Sequence, residues 1–173
     1  MIHKPKIYFI TGVCGAGKST VIPYLKSLLD DKDFDIHDFD ERGVPDNSDR
    51  QWRIEETKYW INIGKVNIKD SVSTIICGFS NPAETVYKDT RFIVLDADDK
   101  TIKQRISGRY KTEKSRQELK RVLSVSVEKF IKDNTNFLAT LRAICQKDKR
   151  CDIVDTVNKS SKEVAKHVVE ILD

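Results

Sequence analysis

The sequence predicts a three-layer α/β/α fold with a five-stranded parallel sheet at its centre. Three observations predict this fold. Short apolar runs alternate with longer segments whose apolar residues recur at helical spacing. A glycine-rich turn joins the first apolar run to the first helical segment, and 173 residues suffice for one domain with a full core. Strands that alternate with helices pair in parallel through right-handed crossovers.

The predicted strands are short. Residues 6–11 form the first strand, which is apolar nearly throughout and is therefore expected to be central. The remaining strands are expected at residues 33–38, 73–77, 91–95 and 152–155.

The first two predicted helices are marked by a proline in one and an N-terminal cap in the other. The first covers residues 17–29 and contains Pro23, which removes one helical N–H donor. The second runs to residue 70 from a cap at Ser48 or Asp49.

The later helices are predicted from caps and breakers. A helix capped by Asp98 or Asp99 is expected to end near residue 107, with Gly108 at its exit. Residues 110–115 are expected to be a polar loop, followed by a mostly helical segment, 116–145, broken at 133–136. Ser160 or Ser161 caps the last helix.

Composition limits the class of protein. Hydrophobic residues make up 39% and charged residues 34%, which is typical of a globular domain. No apolar run approaches the roughly 20 residues of a membrane span, and the N-terminus lacks the apolar stretch of a signal peptide. The four cysteines show no Cys-x-x-Cys spacing, so we expect reduced thiols and a cytoplasmic protein without membrane partners.

The positive charge is concentrated in one segment. Residues 103–121 contain eight basic and two acidic side chains, so this segment carries +6, although the whole chain carries only +4. A local basic cluster suits a phosphate clamp, whereas a nucleic-acid-binding protein is more often basic over a whole face. Nucleic acid is therefore disfavoured as a partner.

The most specific motif follows the first predicted strand. It reads Gly12-Val13-Cys14-Gly15-Ala16-Gly17-Lys18-Ser19-Thr20, which is the P-loop pattern of Gly, four residues and Gly-Lys-Ser. Its glycines allow successive N–H groups to converge at a helix N-terminus, where an anion is favoured. We expect Lys18 to reach the β- and γ-phosphates and the Ser19 hydroxyl to ligate Mg²⁺. The predicted nucleotide-binding residues of this loop are Gly12, Cys14, Gly15, Ala16, Gly17, Lys18, Ser19 and Thr20.

This loop resembles that of the small P-loop kinases of the adenylate, shikimate and gluconate kinase group. A second segment, Arg105-Ile106-Ser107-Gly108-Arg109, is similar to the arginine pair at the entrance of the adenylate kinase lid. The resemblance covers essentially the whole chain in element order. It implies the strand order 2-3-1-4-5, one kinase domain over residues 1–173, a lid at about residues 109–121, and ATP and Mg²⁺ as cofactors.

The same resemblance suggests roles for the two arginines. In the adenylate kinase lid the first arginine packs on the adenine and the second contacts the phosphates, so Arg105 and Arg109 are expected to bind the nucleotide. Guanidinium groups stack on bases and fork onto phosphate oxygens, and charge on the transferring group is stabilised by such a cation. Arg109 is therefore a predicted catalytic residue together with Lys18.

Asp38-Phe39-Asp40 resembles the Asp-x-Asp sequence at the end of the second strand in shikimate kinase-like enzymes. The resemblance implies that Asp38 is a catalytic residue near Mg²⁺ and that Asp40 contacts the acceptor hydroxyl. A carboxylate at this position can orient the hydroxyl or accept its proton. His37 points away from Asp38 in a strand, so we assign it no metal role.

The third strand departs from the nucleotide-kinase pattern. Cys77-Gly78-Phe79-Ser80 stands where adenylate kinases carry Asp-Gly-Phe-Pro-Arg. The missing acid assigns the metal to Ser19 and Asp38, and the missing arginine disfavours a nucleoside monophosphate as acceptor. Gly78 is still expected to permit a close backbone approach to the acceptor.

The acceptor is expected between the second strand and the following helix. Arg42, Arg50 and Arg53 are candidates for binding an anionic acceptor, and Trp52 is a candidate wall.

The predicted function is an ATP-dependent kinase, a monomer or homodimer, that phosphorylates a hydroxyl of a small molecule. Two alternatives remain open. One is a P-loop ATPase switch without a small acceptor, and the other is a polynucleotide-end kinase that uses the basic segment 103–121.

Overall fold

The computed structural model describes residues 4–46 and 48–172. Its five strands form one sheet, in which every neighbouring pair is parallel. The order is β2-β3-β1-β4-β5, as the sequence resemblance implied. The strands are β1 Ile7–Thr11, β2 Phe34–Asp38, β3 Ser73–Cys77, β4 Thr90–Asp96 and β5 Cys151–Asp155.

Helices cover both faces of this sheet, which confirms the three-layer fold. Within the described residues they are α1 Lys18–Leu28, α2 Arg50–Lys69, α3 Asp99–Arg109, α4 Glu113–Leu123, α5 Val127–Cys145 and α6 Ser161–Ile171. A short 3-10 helix, Pro82–Glu84, lies between β3 and β4.

The core has two parts, one on each face. The larger cluster packs side chains of α1, α3, α5 and α6 against residues such as Ile10 and Leu95. The smaller cluster packs Trp60 of α2 against Phe9 and Phe92 on the other face. Every residue of β1 and β3 is buried, as expected for inner strands of a parallel sheet that is covered by helices on both faces.

The structure decides between the alternative helix caps. Asp49 accepts a hydrogen bond from the Trp52 backbone N–H at 2.8 Å, and Asp98 accepts one from the Thr101 N–H at 2.6 Å. Ser160 forms a reciprocal capping box with Glu163 at the start of α6.

The boundaries between α3 and α5 differ from the sequence predictions. Gly108 lies inside α3, and the expected loop at 110–115 is shortened because α4 already begins at Glu113. The break in the following helical segment lies at 124–126, not at 133–136. Ser124 has a left-handed backbone (φ 55°) that ends α4, and Ser126 caps α5, so these two serines supply the stop and start signals.

The strand ends place the P-loop and Asp38 on one edge of the sheet. Asp38 pairs in register with Cys77, and Ile10 pairs with the same residue from the other side. Ligands of parallel sheets bind beyond this carboxyl edge. None of the helices in the described part of the chain has the length and apolar character needed to cross a membrane.

Candidate active site

The P-loop backbone requires glycine at its turns. Gly12 and Gly15 have φ values of +150° and +80°. A Cβ on Gly12 would lie 2.8 Å from the Leu95 carbonyl oxygen, and one on Gly15 would lie 3.2 Å from Cβ of Arg105. Gly17 is the N-cap residue of α1 and has no side chain that could accept a hydrogen bond from the backbone N–H groups of the first helical turn. Those N–H groups therefore remain available to an anion such as a polyphosphate.

Lys18 is a desolvated cation inside this loop. Its Nζ donates a hydrogen bond to the Val13 carbonyl oxygen at 2.8 Å. Burial lowers the pKa of Lys18, although the nearby acidic groups, including Asp40, oppose the shift. A phosphate group at the loop would supply the anionic partner that such a lysine lacks.

A cavity of about 360 Å³ lies next to the loop. Arg105 is held on its wall by hydrogen bonds to the carbonyl oxygen of Gly15 (3.1 Å) and to the hydroxyl and carbonyl oxygens of Thr156 (both 2.9 Å). We call this the donor cavity. It is lined by residues 14–21 together with Arg105, Arg109, Thr156, Lys159, Ser161 and Val164.

A second cavity of about 510 Å³ also borders the P-loop, and we call it the acceptor cavity. Four residues, Cys14, Lys18, Ser19 and Arg109, line both cavities. Arg109 is held near the loop by a contact of 3.7 Å from its Nη1 to Sγ of Cys14. The two cavities therefore meet at the P-loop lysine.

Asp38 and Ser19 both line the acceptor cavity and offer oxygen ligands, which suit Mg²⁺. Asp38 Oδ1 accepts a hydrogen bond from the Asp40 N–H at 2.9 Å. The neighbouring Cys77 is fully buried, and burial raises the pKa of its thiol, so it stays neutral. Among residues 4–46 and 48–172, no cluster of three His, Cys, Asp or Glu side chains could hold a metal alone. Mg²⁺ typically completes its coordination with substrate phosphates and water, so these two residues fit it.

Asp40 and Arg53 both line the acceptor cavity, and their charges interact. Partial burial raises the pKa of Asp40, while Arg53 and Lys18 oppose that shift. Burial also lowers the pKa of Arg53. The guanidinium carbon of Arg53 lies 4.9 Å from the centre of the Phe79 ring.

Arg42 and Trp52 do not line this cavity. Arg42 forms an ion pair of 3.1 Å with Glu56, which is only 8% exposed and would otherwise be a buried carboxylate without a partner. Trp52 packs edge-on against Phe39 at 6.2 Å.

Gly78 lines the cavity, but the neighbour that requires glycine at this position is Phe39 and not the acceptor. A Cβ at Gly78 would lie 2.0 Å from the Phe39 Cβ. Arg50 also departs from the expected role of an anion-binding residue, because it pairs with Glu84 at 3.0 Å on the protein surface.

Sequence reasoning missed the contribution of α5 to the acceptor cavity. Phe130, Asp133, Asn134 and Phe137 line it, and Phe137 stacks on Phe79 with ring centres 5.0 Å apart. Their spacing of three and four residues places them on one helix face, and this spacing was the available signal.

Asn134 connects this helix to the P-loop. Its side-chain Oδ1 accepts a hydrogen bond from the Cys14 backbone N–H at 2.9 Å, and its Nδ2 donates to the Phe130 carbonyl oxygen at 2.8 Å. The P-loop is thus fixed from the acceptor side by a residue 120 positions away in the chain.

Comparisons with known proteins agree with this architecture. A protein-family model described as "AAA domain" matches residues 9–130. None of the curated protein sequences compared with the chain matches it.

Several solved kinases share the fold. The chain is similar to shikimate kinase from Acinetobacter baumannii in complex with shikimate, with 16% identity and a TM-score of 0.62, covering 99% of this chain and 94% of that one. It is similar to a sugar kinase from Janibacter sp. HTCC2649, with 17% identity and a TM-score of 0.61 over 98% and 95% of the two chains. It is also similar to thymidylate kinase from Candida albicans, with 15% identity and a TM-score of 0.57, covering 98% of this chain and 91% of that one. At such identities the similarity establishes the fold.

Proposed function

The chain belongs to the AAA domain family, and we propose that it is an ATP-dependent kinase that phosphorylates a hydroxyl group of a small molecule. The observation that carries this proposal is the meeting of the donor and acceptor cavities at Lys18 and Arg109. A phosphoryl group held at this junction can be attacked from the acceptor side without leaving the protein.

The P-loop N–H groups and Lys18 bind the β- and γ-phosphates in this proposal. Arg109 lies at the junction and stabilises the charge on the transferring oxygens. Bound Mg²⁺ neutralises charge on the phosphate oxygens, and Ser19 and Asp38 are the side chains that would hold it.

Asp40 is the residue proposed to orient the acceptor hydroxyl. Its carboxylate lines the acceptor cavity, and its raised pKa makes it a better proton acceptor than an ordinary aspartate. Arg53, which lines the same cavity, can bind an anionic substituent of the acceptor. The basic segment 109–121, which includes most of α4, is the proposed lid that excludes water.

We propose a hydroxyl as the acceptor because Cys77 and Ser80 stand at the end of β3 where adenylate kinases have an acid and an arginine. The similarity to a thymidylate kinase fold makes nucleoside monophosphates the second class to test.

We also propose that the reaction takes place in the cytoplasm, because all four cysteines are free thiols.

The testing experiment is a phosphoryl-transfer screen with MgATP. It includes sugars, sugar acids, shikimate, nucleosides, nucleoside monophosphates and a 5′-hydroxyl oligonucleotide, each with the wild-type protein and with Lys18→Met. The expected result is a phosphorylated small molecule that forms only with the wild-type protein. Slow ATP hydrolysis that no acceptor accelerates would instead identify an ATPase switch, and a labelled oligonucleotide would identify a polynucleotide-end kinase.

A further inference from the structure

A third cavity, of about 430 Å³, lies between α2 and the segment that joins β3 to β4, and we call it the α2 cavity. The crossover from β3 to β4 contains only the 3-10 helix Pro82–Glu84, whereas such parallel crossovers usually contain an α-helix. One face of α2 is therefore left uncovered beside residues 79–87. The lining of the cavity from α2 is Arg53, Ile54, Thr57, Lys58, Ile61, Asn62 and Lys65.

A buried hydroxyl without a partner belongs to this cavity. Ser80 lines it and is 2% exposed, and its Oγ makes no hydrogen bond to any other described residue. The backbone of Ser80 is fixed, because its N–H donates to Thr11 Oγ1 (2.9 Å) and its carbonyl oxygen accepts from the same hydroxyl (2.7 Å). A buried hydroxyl without a partner destabilises a fold. The Oγ itself has almost no accessible surface, so a ligand in the cavity can bond to it only after the Ser80 side chain rotates about its Cα–Cβ bond.

The charges at the cavity favour an anion. Arg53, Lys58 and Lys65 line it, while its carboxylate, Glu84, already forms an ion pair of 3.0 Å with Arg50. Positive charge is therefore in excess where a ligand would lie.

The remaining walls of the cavity are apolar. Ile54, Ile61, Val86 and Tyr87 line it, and Val86 is 95% exposed at its rim. Single exposed apolar residues are common, but this one continues an apolar cavity wall. An apolar body with a charged group thus matches the lining better than a fully polar ligand.

We propose that the α2 cavity is a binding site for a small amphipathic organic anion, distinct from the donor cavity. The apolar body packs against Ile61 and Tyr87, and the anionic group faces Lys65. The Ser80 side chain rotates when the ligand binds, and its hydroxyl then bonds to a polar atom of the ligand. Arg53 and Phe79 line both this cavity and the acceptor cavity, so a bound anion also contacts the wall of the transfer site.

The test uses anilinonaphthalene sulfonate, an aromatic anion that becomes fluorescent in apolar surroundings, with the full chain. The expected result is saturable binding at one site that excess MgATP does not displace. Loss of one hydrogen bond or one ionic contact should weaken binding by about fivefold. Ser80→Ala and Lys65→Gln should each show this loss, whereas Lys69→Gln, a lysine on α2 outside the cavity, should bind as the wild type does.

A second measurement separates binding from folding. Because the Ser80 hydroxyl has no partner in the described chain, Ser80→Ala should melt at the wild-type temperature or above it while still binding the probe more weakly. Displacement of the probe by MgATP would place it in the donor cavity and overturn the proposal. Equal affinity in all variants, or no saturable binding, would do the same.

Discussion

Lys18 combines a structural penalty with a proposed catalytic role. Its pKa is lowered because burial disfavours the charged form, so the folded protein loses stability at every pH where Lys18 is charged. This loss is present below the lowered pKa and disappears as the pH rises above the unfolded value of about 10.4.

Lys18→Met should lower the rate of phosphoryl transfer by at least about 100-fold, because removal of one hydrogen-bond donor to the transition state has effects of that order. Its free energy of unfolding at neutral pH, measured by urea denaturation, should equal or exceed that of the wild type. The difference should close above about pH 10.4. An active variant, or one that is strongly destabilised at neutral pH, would contradict this account.

Asn134 is expected to fix the P-loop through its hydrogen bond to the Cys14 N–H. Asn134→Ala removes that acceptor, and loss of one such bond, about 1 kcal/mol, corresponds to a roughly fivefold weaker affinity for MgATP by calorimetry. Amide hydrogen exchange at Cys14 should become faster.

Asn136→Ala is the matched control, because Asn136 is exposed on the same helix, outside the acceptor cavity. Asn134→Asp keeps an oxygen acceptor and should restore slow exchange at Cys14. Equal nucleotide affinity in Asn134→Ala and Asn136→Ala would show that the contact has no role in binding.

Asp40 should determine the acidic limb of the pH–activity profile. Its pKa is raised by partial burial, so protonation should reduce kcat/KM already above the ordinary aspartate value of about 3.9. Asp40→Asn should lower activity and remove this limb. The charged form of Asp40 favours activity but disfavours folding, because its pKa is higher in the folded protein than in the unfolded chain. This destabilisation is present above the raised pKa and absent below the unfolded value of about 3.9. Asp40→Asn should therefore melt at a slightly higher temperature than the wild type at pH 7, but not below pH about 3.9. An unchanged acidic limb in the variant would exclude Asp40 as the titrating group.

At the scale of elements, two helical glycines test opposite features of packing. A Cβ on Gly64 of α2 would lie 2.5 Å from Cγ1 of Ile7 in β1, whereas a Cβ on Gly108 of α3 would meet nothing within 4 Å. Gly64→Ala should destabilise the protein by about 1–3 kcal/mol through overpacking. Gly108→Ala should stabilise it by about 0.5–1 kcal/mol, because alanine favours the helix.

Chemical denaturation of both variants measures these changes. If Gly108 also serves as a hinge for the proposed lid, Gly108→Ala should reduce turnover despite its higher stability. A destabilised Gly108→Ala would contradict the helical placement of this residue.

At the scale of the whole molecule, ATP binding should raise the melting temperature. A ligand at about 100 times its Kd adds about 2.7 kcal/mol of stability. For a chain of 173 residues this corresponds to roughly 5–10 °C. Thermal shift with MgATP measures it, and the Lys18→Met variant should show a much smaller shift. No shift in the wild type at any ATP concentration would contradict nucleotide binding.

The sequence by itself determined the features that depend on neighbours close in the chain. The glycines, Lys18 and Ser19 of the P-loop act within nine consecutive residues, and apolar periodicity and caps such as Asp98 act over one or two helical turns. The strand order was implied by the family resemblance, and the structure confirms it.

Tertiary structure alone decided which distant side chains meet. Arg42 pairs with Glu56 instead of facing the acceptor cavity, and Asn134 reaches a P-loop amide 120 residues away. The apparent break at 133–136 is helical, because packing of α5 against the sheet outweighs local turn preferences. The α2 cavity likewise exists because a short crossover leaves one helix face uncovered. Burial and pairing depend on which elements the fold brings together, and this is not encoded in any local stretch of the chain.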